Sequence, residues 1–250
     1  MTPDQINEIR VNPYKDDFPL LSRNADLAFL DSAATAQRPA CVLEAQRSFY
    51  ETMNANALRG LYRLSVEATE AINDARHTVA SFIGASESQD IVFCRNTSEA
   101  LNIIAKSFGA SVLKPGDEVC ISIMEHHSNL IPWQQVCRAT GASLVYLRPD
   151  KQGIITAEEM DSKISQRTKI VSVTHVSNVL GIENPVVELG KRVHAVGGYL
   201  VVDGAQSVPH ISVDVKQIGC DFFAFSGHKV FGPFGIGVLW GKHELLDGMP

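Results

Sequence analysis

Apolar residues along this chain fall into short, nearly unbroken runs: DIVFC (90–94), EVCISI (118–123), SLVYL, KIVSVTH (169–175), YLVVDGAQ (199–206), DFFAF and GIGVLW. Between them lie stretches with a helical period of polar and apolar positions. PACVLEAQRSFYETM (39–53) opens with a proline suited to a first helical turn and sets Val42, Leu43, Gln46, Phe49, Tyr50 and Met53 on one stripe. VEATEAINDARHTVASFIG (66–84) reads as a helix stopped by Gly84, and NTSEALNIIAKSFG (96–109) as a helix that starts directly behind a strand. A helix around LIPWQQVCRATG ends at Gly141, a Thr156-x-x-Glu159 capping box opens a short one, and another runs from Pro185 to about Ala195.

A strand covered on one face alternates apolar with polar residues, whereas one covered on both faces is apolar throughout. Strands of the second kind alternating with helices predict an α/β fold, a mainly parallel sheet sandwiched by helices. Ligands of such sheets sit beyond the carboxyl ends of the strands. Residues 1–28 read as an irregular lead-in segment and residues 29–250 as one large domain, without repeat or linker.

Composition narrows the partners. With 250 residues, 45% hydrophobic and 20% charged, the chain can bury a sizeable core. A net charge of -6 argues against a nucleic-acid partner, which selects for basic faces. No apolar run reaches the roughly 18 residues that span a bilayer, so no membrane partner is expected. The opening MTPDQINEIRVNPYKDDFPL carries acids throughout and no apolar block, which points away from a secretory signal and towards a cytoplasmic location. Cys41, Cys94, Cys120, Cys137 and Cys220 form no C-x-x-C pair; scattered and odd in number, they read as reduced core thiols, not as a disulfide frame or zinc site.

Polar groups follow the strands at telling places. Behind DIVFC come Asn96, Thr97 and Ser98 at a helix start, where hydroxyls and free backbone N–H groups make an anion site. Behind EVCISI come His126 and His127, which lack a third ligand at metal-binding spacing and suit an imidazole laid on an aromatic ligand. Asp203 ends YLVVD, with Gln206 three residues on; His175, Ser177 and Asn178 follow KIVSVT. Ser226, Gly227, His228 and Lys229 crowd one turn behind DFFAF. Each has an ordinary explanation alone: an N-cap, a surface histidine pair, an Asp-Gly turn, a hairpin lysine. Neither a P-loop string nor a dinucleotide G-x-G-x-x-G is present. Pyridoxal 5'-phosphate, by contrast, needs all of them together. It requires an amine for covalent attachment, an acid to keep its ring nitrogen protonated, an anion cradle and a flat face against the ring. Lys229, Asp203, Thr97 and Ser98 with Ser226 and His228, and His126 supply these in that order.

LDSAAT (30–35), RNTSEALN (95–102), MEHHSNLIPWQ (124–134), HVSNVLG (175–181), VDGAQSVPH (202–210) and FSGHKVFGPFGIGVLWG (225–241) together resemble the SufS-like cysteine desulfurases, class-V aminotransferases within the fold-type I, aspartate-aminotransferase-like pyridoxal-phosphate enzymes. The resemblance implies removal of sulfur from L-cysteine to give L-alanine and an enzyme persulfide, supplied to iron–sulfur cluster assembly. It implies that Lys229 holds the cofactor and moves protons at the substrate α carbon, that Asp203 pairs with the ring nitrogen, and that Gln206 bonds the ring's phenolic oxygen. His126 would stack on the ring and assist acid–base steps. Thr97, Ser98, Ser226 and His228 would bind phosphate, and Asn178 the substrate carboxylate or ring oxygen. By the same resemblance the protein is a homodimer that hands sulfur to an acceptor protein.

Two departures qualify that picture. The family shows an Asn-x-His-Arg-Gly string near the active-site mouth; this chain reads Ala57-Leu58-Arg59-Gly60, which keeps Arg59 for the substrate and replaces the histidine with leucine. Family members also continue past the equivalent of Pro250 into a smaller carboxyl-terminal domain that bears the nucleophilic cysteine and a carboxylate-gripping arginine. The expectation is a cofactor-binding large domain without that small domain, with little desulfurase turnover by itself. The competing expectations are a selenocysteine lyase acting on L-selenocysteine, a related lyase, and a non-catalytic domain that serves as a partner or regulator.

Overall fold

The strands that carry the unbroken apolar runs lie side by side in one sheet whose interior positions are almost all inaccessible to solvent. The computed structural model describes residues 13–250; the first twelve residues of the expected lead-in lie outside the described residues. Within the remainder of that lead-in a short helix α1 (Pro19–Arg23) forms behind a 3₁₀ turn, a local order that five residues are too few to betray by periodicity. Phe18, just before it, packs against Phe231 with ring centroids 5.7 Å apart.

Helices α2 (Ala40–Thr52) and α3 (Arg63–Phe82) precede β1 (Ile91–Cys94). Helix α4 (Thr97–Ile103) follows at once and continues through a π-helical stretch (Ile104–Gly109) into a last turn (Ala110–Val112). Then come β2 (Glu118–Ser122), α5 (Ile131–Thr140), β3 (Ser143–Leu147), α6 (Ala157–Lys163), β4 (Thr168–Thr174), α7 (Val186–Ala195) and β5 (Tyr199–Asp203). A short α8 (Val215–Ile218), β6 (Phe222–Ser226), β7 (Gly237–Gly241) and α9 (His243–Asp247) complete the order. The stops lie where the sequence puts them. Gly141 closes α5 in the left-handed conformation at φ 77°, and the Thr156 side chain caps α6 by accepting from the Glu159 N–H at 3.3 Å.

The sheet order is β1-β7-β6-β5-β4-β2-β3. The strands from β6 to β3 run parallel, and β7 pairs antiparallel with both β6 and β1. Helices cover both faces, so two clusters form, one on each side. Leu200, Val202 and Phe223 point into the first with Leu189 and Val193 of α7; Val201, Phe222 and Ala224 point into the second with Leu101, Phe108 and Trp133. Alternate residues of one strand thus serve opposite cores, which is why the runs are apolar at every position. Burial of this kind contributes about 1.5–3 kcal/mol for each large side chain and holds the strand ends in place. Helix α2 is different: its apolar stripe buries no residue fully, and Leu43 and Tyr50 remain exposed.

Candidate active site

The parallel strands β2, β4, β5 and β6 end on the same side, and the polar residues behind them meet in a cleft of about 430 Å³. Its walls include Thr97, Ser98, His126, Asn178, Asp203, Gln206, Ser226, His228 and Lys229, together with Ala33, Ala34 and Thr174. Eight expected cofactor residues and the expected substrate contact Asn178 are therefore brought together. Arg59 stands apart, on an exposed loop that does not line the cleft. In that loop Leu58 takes φ 77°, unusual for a branched side chain, and its N–H donates to Thr69 Oγ1 at 2.8 Å. A larger, more open hollow of about 1000 Å³ shares Asn96 and Ser98 with the cleft, but its Arg95 and Glu99 are already paired with each other.

Asp203 is the last residue of β5, and its side chain is 3% exposed. Burial pushes its pKa up, since a carboxylate inside loses hydration; the Ala205 N–H, donated to Oδ1 at 2.9 Å, and the charges of Lys229 and His126 oppose that rise. Lys229 lies in the 3₁₀ turn directly after β6 and is partly buried. Burial lowers its pKa from the ordinary lysine value, and the negative charge of Asp203 partly restores it. Each group thus reports the other: a carboxylate and an amine, both pulled from water, sharing one floor.

The cradle opposite is built by contacts between distant parts of the chain. Ser226 Oγ accepts from the Thr97 N–H at 2.8 Å and lies 2.6 Å from Thr97 Oγ1, tying β6 to the first turn of α4. Asn96 caps that turn by accepting from the Glu99 N–H at 2.9 Å. Gly237 makes the approach feasible, because a Cβ there would lie 2.5 Å from the Asn96 backbone. Ser98 Oγ meets Ser128 Oγ, which in turn lies 2.9 Å from His126 Nδ1, leaving the imidazole itself exposed to the cleft. Thr35 Oγ1 donates to the His228 carbonyl at 3.2 Å, and the His228 ring stacks on Phe234 with centroids 5.3 Å apart. The Arg38 guanidinium also lies over the Phe234 ring, 4.4 Å from its centroid. Gln206 Nε2 donates to Ala33 O at 2.7 Å, so the segment before α2 closes over the lysine turn.

Several of these contributors escaped the motif reading. Ser128, Thr35 and Thr174 sit beside residues singled out from the sequence and carry no signal of their own. Glu125 does carry one: it is a carboxylate behind an apolar strand, the same signal that marked Asp203. Burial pushes Glu125 up to about 8. The thiols of Cys94, Cys120, Cys137 and Cys220 are all pushed up by burial, and no cysteine lines the cleft.

A parallel sheet with an amine and a carboxylate at its carboxyl end, facing hydroxyls at a helix start, is the arrangement that a phosphate-bearing cofactor requires of an α/β protein. Comparison with known proteins agrees: the class-V aminotransferase family profile matches residues 28–250, and the chain belongs to that family. Its members are pyridoxal-phosphate enzymes. A protein of Halalkalibacterium halodurans named "Probable cysteine desulfurase" is 50% identical over 235 residues, covering 93% of this chain and 58% of the relative. A cysteine desulfurase of Dickeya dadantii is 46% identical over 248 residues, covering 98% and 60%. Among solved structures, the apo cysteine desulfurase of Thermococcus onnurineus superposes with a TM-score of 0.89 at 40% identity, over 95% of this chain and 58% of that one. The chain therefore spans about 60% of the length of the curated relatives it matches.

Proposed function

We propose that this chain is the cofactor-binding large domain of a cysteine desulfurase, holding pyridoxal 5'-phosphate on Lys229 and acting on L-cysteine. The observation that carries this reading is the buried Lys229–Asp203 couple on the floor of a cleft ringed by Thr97, Ser98 and Ser226. The residues present fit the group. An amine whose pKa is lowered by burial is a better nucleophile near neutral pH than a solvated one. A carboxylate supported by Lys229, His126 and the Ala205 N–H suits a ring nitrogen that must stay protonated. Hydroxyls and backbone N–H groups at the start of α4 suit a phosphate.

When bound, the cofactor supplies an electron sink for bonds broken at an amino acid's α carbon. Lys229 Nζ would hold the group covalently and move a proton at that carbon. His126 would lie against the flat face and assist proton transfer. Gln206, its amide anchored on Ala33 O, would bond the ring oxygen, and Ser98, Ser226 and His228 with Thr97 would hold the phosphate. Asn178 would meet the substrate carboxylate or the ring oxygen. Arg59 does so only from a neighbouring copy or after its exposed loop moves.

The lead-in up to residue 28 and one large domain over 29–250 remain our division of the chain. Homodimer formation is supported by apolar side chains left exposed among the described residues: Leu30 is 92% exposed, Val179 80% and Phe234 71%. No helix of the described residues is long and apolar enough to cross a membrane. A cytoplasmic, SufS-like role in iron–sulfur cluster assembly, with sulfur passed to an acceptor protein, agrees with the free cysteines and the acidic charge. Because no cysteine lines the cleft, the chain by itself should form alanine from cysteine only at background rate.

The test is cofactor capture. The purified chain is titrated with pyridoxal phosphate, reduced with borohydride, digested and mapped by mass. A single modified peptide at Lys229, lost in Lys229→Ala, is the expected result. Equal labelling of several surface lysines, or retention in the variant, would overturn the proposal. Brisk alanine release by the same preparation would overturn the background-rate expectation alone.

A further inference from the structure

Glu125 is the titratable group near the cleft that the mechanism above leaves without a task. It lies in the turn between β2 and α5. Part of the residue reaches the surface, but its carboxyl end is enclosed. Ser122 Oγ, at the end of β2, lies 2.5 Å from Oε1, a contact in which a hydroxyl can accept as well as donate, and Asn129 Nδ2, just before α5, donates to Oε2 at 2.6 Å. Asn129 is fully buried, and its Oδ1 accepts from Trp133 Nε1 at 3.0 Å and from Ser172 Oγ of β4 at 2.5 Å. The Thr174 backbone amide also lies against the carboxyl. One carboxyl thus joins β2, β4 and α5, and the turn it closes is the one that presents His126 and Ser128 to the cleft.

Its electrostatic setting differs from that of Asp203. Asp203 faces two cationic groups, Lys229 and His126, and accepts a backbone N–H. The charge that Glu125 feels is the negative one of Asp203. His126 and His127 follow it in the chain, and His175, just beyond the end of β4, turns to Glu183 instead, with Nε2 3.5 Å from Oε1. Two carboxyls at one sheet edge with cations beside only one of them divide the charge unequally.

We propose that Glu125 is a positioning residue, a neutral carboxylic acid that donates its proton across the Oε1–Ser122 Oγ contact, accepts from Asn129 at Oε2, pins the His126 turn to β4 and leaves Asp203 as the charged carboxylate of the cleft. Burial, with the negative charge of Asp203, pushes Glu125 up to about 8 against the opposing hydrogen bonds of Ser122, Asn129 and the Thr174 amide, in agreement with this assignment. Between the ordinary glutamate value and about 8, the folded chain holds a proton that the unfolded chain releases. The stability tied to that proton is full at acid pH and is lost as pH rises through about 8.

Glu125→Gln keeps the shape and the neutral state. Its melting temperature is compared with that of the wild-type chain from pH 5 to 9, without cofactor. The expected result is a difference that grows in favour of the variant by at least ~3 °C over that range. A difference independent of pH overturns the proposal. The second arm rests on the cofactor reading above: by absorbance titration at pH 7, Glu125→Gln binds pyridoxal phosphate within about threefold of wild type, whereas Glu125→Leu, which cannot hold Asn129, binds at least tenfold more weakly. Equal binding by the leucine variant overturns the positioning role. Should Glu125→Leu fail to fold, the pH series of the glutamine variant decides; should the wild-type chain capture no cofactor, the proposed function falls and the melting series still judges Glu125.

Discussion

The carboxyl end of the sheet and a rim of exposed loops outside the cleft wall break the usual distribution of side chains in opposite directions. At the sheet end, Asp203, Gln206, Ser226 and Thr97 are buried although polar. On the rim, Leu30, Leu58, Leu61 and Val179 are exposed although apolar. Charged groups are rarely buried without a partner, and a chain gains nothing from an apolar rim that stays wet. The first inversion marks a place where a polar ligand completes the hydrogen bonding. The second is the surface on which our proposed homodimer would form. What divides them is support: the polar floor rests on two packed cores, whereas the rim rests on loops.

The largest expected effect comes from removing that support. Phe223 is fully buried in β6, and its ring fills the space beside Gly204, where a Cβ would lie 2.1 Å from it. Phe223→Ala should cost about 3–5 kcal/mol in denaturant unfolding and loosen the Asp203 end of β5 as well, weakening cofactor capture. If capture is unchanged at a temperature where the variant remains folded, floor and core are uncoupled. A smaller effect, of opposite sign on stability, is expected at the floor itself. In the chain without cofactor, the raised pKa of Asp203 means that the stability tied to its proton is present at acid pH and lost as pH rises through the folded value. Asp203→Asn should therefore stabilise the cofactor-free chain by ~1–2 kcal/mol at pH 7, with no gain near pH 3, while cofactor affinity falls. A gain in both stability and affinity would separate Asp203 from the cofactor.

How much of this was legible in the sequence varies with the distance over which a contact acts. The long helices and all seven strands announce themselves, because each is specified by its own periodicity; α2 spans Ala40–Thr52 against an expected 39–53. The short helices α1, α8 and α9 do not, because four or five residues complete barely one turn. The π-helical stretch inside α4 is invisible for another reason: IAKSFG continues a helical pattern, and the wider turn shows only in the backbone. Nor does GVLWG reveal that β7 runs against its neighbours, since a strand buried on both faces reads the same in either direction. In the site, Asp203, Lys229 and His126 stand out as polar residues at strand exits. Their mutual ties, such as Ser226 to Thr97 and Gln206 to Ala33, join positions 129 and 173 residues apart and have no local signature. Arg59 is the reverse case, a motif match that one copy of the chain does not bring to the cleft.

The rim should respond least in stability and most in association. Leu61 is 99% exposed and Val179 80%, so in a single copy they touch almost nothing. Replacing both with serine should change unfolding free energy by no more than ~0.5 kcal/mol at dilute concentration. If these side chains are covered by a second copy, the same change removes apolar surface from that contact, worth roughly 25 cal/mol for each Å² buried. Sedimentation of wild type and the double variant over a concentration series reads this directly. The expected outcome is a wild-type dimer whose dissociation constant rises at least tenfold in the variant. The cofactor-capture assay, run in parallel, connects the two regions: Arg59 shares a loop with Leu61 and is absent from its own cleft. Loss of association with capture unchanged would show that the rim serves assembly alone, whereas joint loss would show that each cleft depends on the neighbouring copy.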